Sequence, residues 1–252
     1  MKIDTKALLK ETLELSKDNW GTSVVLDFTD VTGYPERPGD PRIEITGESV
    51  QDAALRFRGR KVTVLNFASG VSPGGGIRTG STAQEEILCL TSGLLHGLDA
   101  HEDYYLDNQS GEAPRFCYDR MIWSEGVPLF RDGGFKLVEP MDISVITYPA
   151  PNLYRGAYAD PMGFSGEQES ATAAAECFYR RCRHVVRRAS QSGAEVLILG
   201  AWGCGAYCND PYTVAKQFKD ALRTQSGGID TVVFAIYGVK DNQDAFREVF
   251  GG

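Results

Sequence analysis

Two adjacent carboxylates, Glu85 and Glu86, follow a run of three glycines, Gly74 to Gly76, in the segment ASGVSPGGGIRTGSTAQEE. A carboxyl pair can divide the breaking of a glycosidic bond. One group gives and takes a proton, the other holds sugar hydroxyls, and their like charge tends to hold one pKa up. Consecutive glycines let the backbone take positive φ and approach a ligand with no Cβ in the way. The helix expected to start near Gln84 presents unpaired N–H groups and a positive dipole end, which suit a phosphate. The same dipole also accounts for acidic residues in a first helical turn, so the pair is a candidate only because a glycine-rich loop leads into it.

A second loop of similar design lies in VLILGAWGCGAYCNDP, where Gly200, Gly203 and Gly205 follow a buried strand. Asp210 and Pro211 fit the N-cap and first position of the next helix. One such loop reads as a tight turn. Two, each leaving a buried strand, could grip two phosphates from opposite sides. The chain has no GxxxxGK[ST] run and no GxGxxG spacing, so neither a Walker A loop nor a Rossmann fingerprint is present.

The elements that must position these loops alternate along the chain. Helical spacing is read over Thr5 to Asn19, around Ser49 to Phe57, from Gln84 onward with Ile87, Leu88, Leu90, Leu94 and Leu95 on one side, over Ser170 to Gln191, Tyr212 to Arg223 and Asn242 to Phe250. Strands are read at Val62 to Phe67, Val196 to Leu199 and Thr231 to Ile236, and in the stretch Asp142 to Asn152, which ends in a loop. Tyr34 to Pro41 reads as a connecting loop. Asp99 to Gly134 is polar, aromatic and irregular, with a strand pair around Met121 to Phe130 broken at Glu125 and Gly126. Tyr104, Tyr105, Tyr118, Trp123 and Trp202 read as packing residues, and Arg180, Arg181, Arg183, Arg187 and Arg188 as a solvated helix face. Alternation of this kind predicts a layered α/β sheet whose ligands collect at the loops leaving strand carboxyl ends.

Composition narrows the function. The 252 residues carry a formal net charge of −8, which argues against a general nucleic-acid binder. An anionic ligand would have to be held by local backbone N–H groups instead. The apolar stretches are too short to span a bilayer and no signal segment is read, so no membrane association and a cytoplasmic location are expected. The six cysteines, at 89, 117, 177, 182, 204 and 208, form neither a disulfide framework nor a repeated CxxC metal pattern. No metal and no cofactor are expected.

Gly74-Gly75-Gly76 followed after seven residues by Gln84-Glu85-Glu86 resembles the GGG…QEE signature of poly(ADP-ribose) glycohydrolases. VLNFAS, PGGG, VITYPAPN and VLILGAWGCGAYCNDP resemble the compact bacterial-type members, in the family's order, and the resemblance covers about Asp4 to Phe250. It implies a single macrodomain-like domain over residues 1–252, a three-layer α/β/α fold with a mixed central sheet and an N-terminal helical extension. It also implies hydrolysis of ribose–ribose O-glycosidic bonds of poly(ADP-ribose), releasing ADP-ribose from chain ends, by a monomer that binds ADP-ribose and its polymer, free or attached to protein. Glu86 would be the catalytic carboxylate, and Glu85 would hold ribose hydroxyls. Gly74, Gly75 and Gly76 would approach the diphosphate and distal ribose, and Gly203, Cys204, Gly205 and Ala206 would wrap the diphosphate from the other side. Tyr207 stands where such enzymes usually carry Phe against the distal ribose, and Ser69 where animal members have Asn. Gln84, Asn66 and Asn152 complete the candidate substrate-binding set, with Asn66 open to either a turn or a ligand role. Two other readings remain: removal of mono-ADP-ribose from protein or nucleic acid, and ADP-ribose binding without hydrolysis.

Overall fold

The computed structural model describes residues 4–29, 33, 35–110, 116–154 and 167–251, with only the backbone of 167–171. In chain order the elements are α1 (Thr5–Ser16), β1 (Thr22–Asp27), β2 (Arg42–Thr46), α2 (Val50–Leu55), β3 (Val62–Phe67), α3 (Gln84–Thr91), α4 (Leu94–Asp99), α5 (Glu102–Gln109), β4 (Arg120–Arg131), β5 (Leu137–Tyr148), α6 (Glu167–Gln191), β6 (Val196–Leu199), α7 (Pro211–Gln225), β7 (Thr231–Ala235) and α8 (Lys240–Phe250). The strands form one seven-stranded sheet in the order β1-β4-β5-β3-β6-β7-β2. From β5 to β2 the neighbours run parallel, whereas β4 lies antiparallel to both β5 and β1. The sheet is therefore mixed, as expected.

Strand β3 shows how the site is aimed. Its residues Val62 to Asn66 are buried, because helices cover both faces of the parallel strands. Side chains alternate faces along a strand. Leu65 joins the core shared with Phe178 and Val185 of α6, Phe218 of α7 and Phe246 of α8. Val62 and Val64 join the core shared with α2, with Leu88 and Leu90 of α3 and with Leu94 and Leu95 of α4. Asn66, two residues beyond Val64, therefore points into the α3 layer and delivers an amide beside the first turn of that helix. Burying each large apolar side chain of these two cores contributes about 1.5–3 kcal/mol. That burial fixes the two layers against the sheet.

The N-terminal helix braces the same layer. Asp4 caps α1 by accepting from Lys6 and Ala7 N–H. Thr12 Oγ1 donates to Leu90 O of α3 at 2.7 Å, and Glu11 pairs with Arg131 of β4 at 3.0 Å.

Several elements differ from the sequence reading. The helix expected to run from Gln84 through Leu95 is two helices. The hydroxyls of Thr91 and Ser92 turn back onto the carbonyls of Ile87 and Leu88, and Ser92 is extended at φ −143. The expected strand pair at Met121 to Phe130 is one strand, β4, whose register to β5 shifts between Ser124 and Val127. Gly126, at φ 68, absorbs this bulge. Strands β1 and β2 and helix α5 were not expected. Tyr34, where the connecting loop was placed to begin, and the side chain of Ser170 lie outside the described residues.

Candidate active site

The loop between β3 and α3 turns first at Ser69, whose Oγ accepts from Val71 N at 3.2 Å and Ser72 N at 3.1 Å. It then passes through Gly74 and Gly75 at φ 67 and 57, and through a single 3-10 turn at Ile77–Thr79. Its course brings the backbone onto the two carboxylates of α3. A Cβ on Gly75 would lie 2.5 Å from Glu86 Oε1 and 2.8 Å from Glu85 Oε2, so only glycine fits between them.

The two carboxylates are held differently. Glu85 accepts from Ser69 N at Oε2 (2.7 Å) and from Asn66 Nδ2 at Oε1 (3.3 Å). Glu86 accepts from Gly76 N at Oε1 (2.8 Å), while its Oε2 is buried with no partner among the described residues. Only 4% of Glu85 and 6% of Glu86 is exposed. Burial pushes the Glu85 pKa up to about 8, the charge of Glu86 adding to the rise, and the N–H donors oppose it without offsetting it.

Gln84 faces away from this well. Its Oε1 accepts from Phe67 N at 2.8 Å and its Nε2 donates to Leu65 O at 3.0 Å, so the amide extends the ladder of β3. It fixes the first turn of α3 against the strand, a positioning role in place of the expected substrate contact. Asn66 is buried between Glu85 and Thr147 Oγ1 (3.2 Å), and it too positions a carboxylate. Within the glycine triplet, Gly76 turns its N–H group to Glu86 and Gly75 N donates to Ser72 O at 3.0 Å.

The second loop, after β6, is built the other way. Gly203, at φ 76, packs so closely that a Cβ would meet Asn209 Nδ2 at 2.6 Å and Ala150 Cβ at 2.7 Å. Asn209 staples the loop by donating to Pro151 O at 2.8 Å and Gly203 O at 3.1 Å. Gly205 and Ala206 are exposed, and their N–H groups make no bond among the described residues. Burial, with Asp210 adding, pushes the Cys204 thiol up to about 12, which keeps it neutral. Asp210 caps α7 by accepting from Thr213 N at 2.7 Å, with Pro211 at the first position, as the Asp-Pro pair predicts. Tyr207 is half-buried and its hydroxyl donates to Ala68 O at 3.4 Å, which places the second loop directly against the first. Asn152 Oδ1 accepts from Tyr154 N at 3.0 Å, and the adjoining Leu153 N donates to Tyr207 O, also at 3.0 Å.

The structure thus gathers Asn66, Ser69, Gly74 to Gly76, Glu85 and Glu86 in one hydrogen-bonded well, with Tyr207 closing on it from the second loop. Sequence reasoning missed the braces. Asn108 of α5 is buried, donating to Gly70 O at 2.9 Å and accepting from Tyr118 N at 3.2 Å, and Gln109 donates to Val71 O at 2.7 Å. No local signal marks these residues, because their partners are loop carbonyls far away in sequence. Tyr104, Tyr105, Trp123 and Trp202 are buried packing residues, the indole of Trp202 donating to Tyr148 O at 3.2 Å. Arg181 is wholly buried, contrary to the solvated face expected for it. Among the described residues no group of three His, Cys, Asp or Glu side chains is arranged to hold a metal ion. No helix among them is long and apolar enough to cross a membrane.

Comparison with known proteins matches this arrangement. The family model for the microbial-type PARG catalytic domain matches residues 5–132, which include the glycine triplet and the carboxylate pair. A solved poly(ADP-ribose) glycohydrolase from Thermomonospora curvata, bound to the inhibitor ADP-HPD, is 29% identical with a TM-score of 0.80, the match covering 98% of this chain and 99% of that one. The poly(ADP-ribose) glycohydrolase from Deinococcus radiodurans in complex with ADP-ribose is 28% identical with a TM-score of 0.75, covering 100% and 98%. Comparison with curated protein sequences gives no match.

Proposed function

The chain belongs to the microbial-type poly(ADP-ribose) glycohydrolase family, and on that premise we propose that it hydrolyses ribose–ribose bonds of poly(ADP-ribose) with Glu86 as its catalytic carboxyl. The observation that carries this assignment is the unequal use of the two carboxylates. Protein donors occupy both oxygens of Glu85, whereas Glu86 keeps Oε2 buried and unpartnered, and a buried carboxylate oxygen without a partner is costly unless a ligand takes it up.

Near neutral pH the raised pKa of Glu85 keeps a proton in the well. In the reaction Glu86, acting through Oε2, delivers a proton to the leaving ribose oxygen as the glycosidic C–O bond breaks, leaving an oxocarbenium-like distal ribose. The Glu86 carboxylate then takes a proton from the water that adds to this carbon, which restores the starting state. Glu85 orients the well, and the ring of Tyr207 bears on the distal ribose. The outward N–H groups of Gly205 and Ala206 take the diphosphate, a charge-assisted contact that needs no excess of basic residues.

A net charge of −8 disfavours a long electrostatic track for polymer, and we infer cleavage from chain ends. Incubation of the purified protein with poly(ADP-ribose) and with mono-ADP-ribosylated protein tests the reading. Free ADP-ribose is expected from the polymer from the earliest times. Release from the mono-modified substrate alone would overturn the polymer assignment, and early release of long oligomers would overturn the chain-end one.

A further inference from the structure

Among the described residues the two loops of the proposed site are joined by the 3.4 Å hydrogen bond of Tyr207 to Ala68 O, and one buried side chain is tied to segments that brace both. Arg181 of α6 is 0% exposed and lies over the ring of Tyr148, with 5.0 Å between the guanidinium carbon and the ring centroid. Its Nε donates to Asp119 Oδ1 at 2.9 Å, and Nη1 donates to Pro149 O at 2.8 Å. Nη2 faces the carbonyls of Phe116, Cys117 and Tyr118 at 2.7, 3.1 and 3.3 Å. The planar fork of an arginine can hold acceptors in three directions at once, which a lysine cannot.

Together the acceptors lead to both loops, and Pro149 meets the first as well, its Cβ and Cγ lying 3.5 Å from where a Cβ on Gly70 would stand. Segment 116–118 meets the first loop twice. Tyr118 N donates to Asn108 Oδ1 (3.2 Å), whose Nδ2 donates to Gly70 O (2.9 Å), and Cys117 Sγ lies 2.6 Å from where a Cβ on Gly70 would stand. Cys117 itself takes φ 65, a conformation that a residue with a Cβ adopts at a cost and that its surroundings must hold. On the other side, Pro149 lies two residues before Pro151, whose carbonyl takes the Asn209 amide, and Asn209 is the staple of the second loop. Asp119, its carboxyl held below the usual range by Arg181 and Arg180 against the pull of burial, balances the buried charge.

We propose that Arg181 is a positioning residue that sets the spacing of the two loops, joining the carboxylate well to the diphosphate side of the site through one guanidinium. The inference rests on the reading of the two loops as halves of one site. In substrate-free, full-length R181K, amide hydrogen exchange is expected to rise about tenfold in peptides spanning Gly70 to Gly76 and Gly203 to Cys208 together, with β3 and β6 unchanged. KM for polymer is expected to rise about tenfold, with kcat within about threefold, because loosened loops must be ordered on binding. The D119N variant keeps the guanidinium and removes its charge partner, so it should show the same paired pattern at smaller size. If R181K does not fold, D119N decides by that pattern alone. Exchange rising only at 116–119, or rising everywhere in proportion to lost stability, or an unchanged KM, would overturn the proposal. Because the exchange pattern is read without substrate or turnover, failure of the glycohydrolase reading leaves it standing, and its own failure leaves that reading intact.

Discussion

The two glycine-rich loops look alike in sequence and face opposite ways in the fold. After β3, Ser69 and Gly76 turn their N–H groups inward to the carboxylates of Glu85 and Glu86, and the loop becomes the wall of the carboxylate well. After β6, the loop is closed from behind by Asn209, the following acid Asp210 is spent on its own helix, and the N–H groups of Gly205 and Ala206 stay outward. Glycine count therefore does not tell a loop closed onto carboxylates from one whose N–H groups make no bond among the described residues. What differs is where the next acidic residues lie: in the first case on the first helical turn with their carboxyls reaching back over the loop, in the second at the N-cap with the carboxyl already taken.

A methyl group added to each loop separates them most sharply. Gly75→Ala would force a Cβ between the two carboxylates at a positive φ, so kcat/KM is expected to fall about a hundredfold or more while circular dichroism shows a retained fold. Gly205 has no protein atom within 4 Å of its Cβ position, so Gly205→Ala should leave kcat within about threefold, any loss falling on KM where the new methyl meets the diphosphate. Equal losses would end the distinction. Ala206→Pro removes one outward N–H and should weaken ADP-ribose binding about tenfold by calorimetry, leaving the pH–rate profile in place. A shifted profile would mean that the second loop also tunes the acid–base pair.

The smallest effect is on stability and belongs to the first loop alone. The folded protein raises the Glu85 pKa from 4.5 to about 8, so it binds more protons than the unfolded chain between those values. The stabilising contribution of the protonated group is complete below about pH 4.5 and is lost as pH rises through about 8. The melting temperature should fall across this window, and Glu85→Gln should flatten that part of the curve. A wild-type curve equally flat would remove the buried proton from the account.

How much of this was legible follows from where each signal resides. Strands β3 and β6 were found to the residue, because parallel strands buried on both faces read as short continuous apolar runs. The cap of α7 was legible because Asp-Pro carries its own backbone restraint. Strands β1 and β2 sit at the two ends of the sheet, and their partly exposed residues carry no such run. Helix α5, EDYYLDNQ, shows almost no apolar periodicity, and with it went Asn108 and Gln109. In the site itself, the pair Glu85 and Glu86 and the glycines stood out by type and spacing. That Gln84 bonds to β3, that Asn66 orients Glu85 and that Gly76 turns its N–H to Glu86 depend on the path of the loop, which spacing does not encode. Arg181 was hidden most completely, as one of five arginines on a helix whose partners lie some sixty residues upstream.

The central claim is that Glu86 does the chemistry and the rest of the well holds it in place. Turnover of poly(ADP-ribose) by Glu86→Gln, measured beside its affinity for ADP-ribose, tests this most directly. The account predicts loss of about 10²–10⁴ in kcat, the range for a removed general acid and base, with ADP-ribose affinity within about threefold of wild type. Turnover near the wild-type rate, with affinity intact, would contradict it.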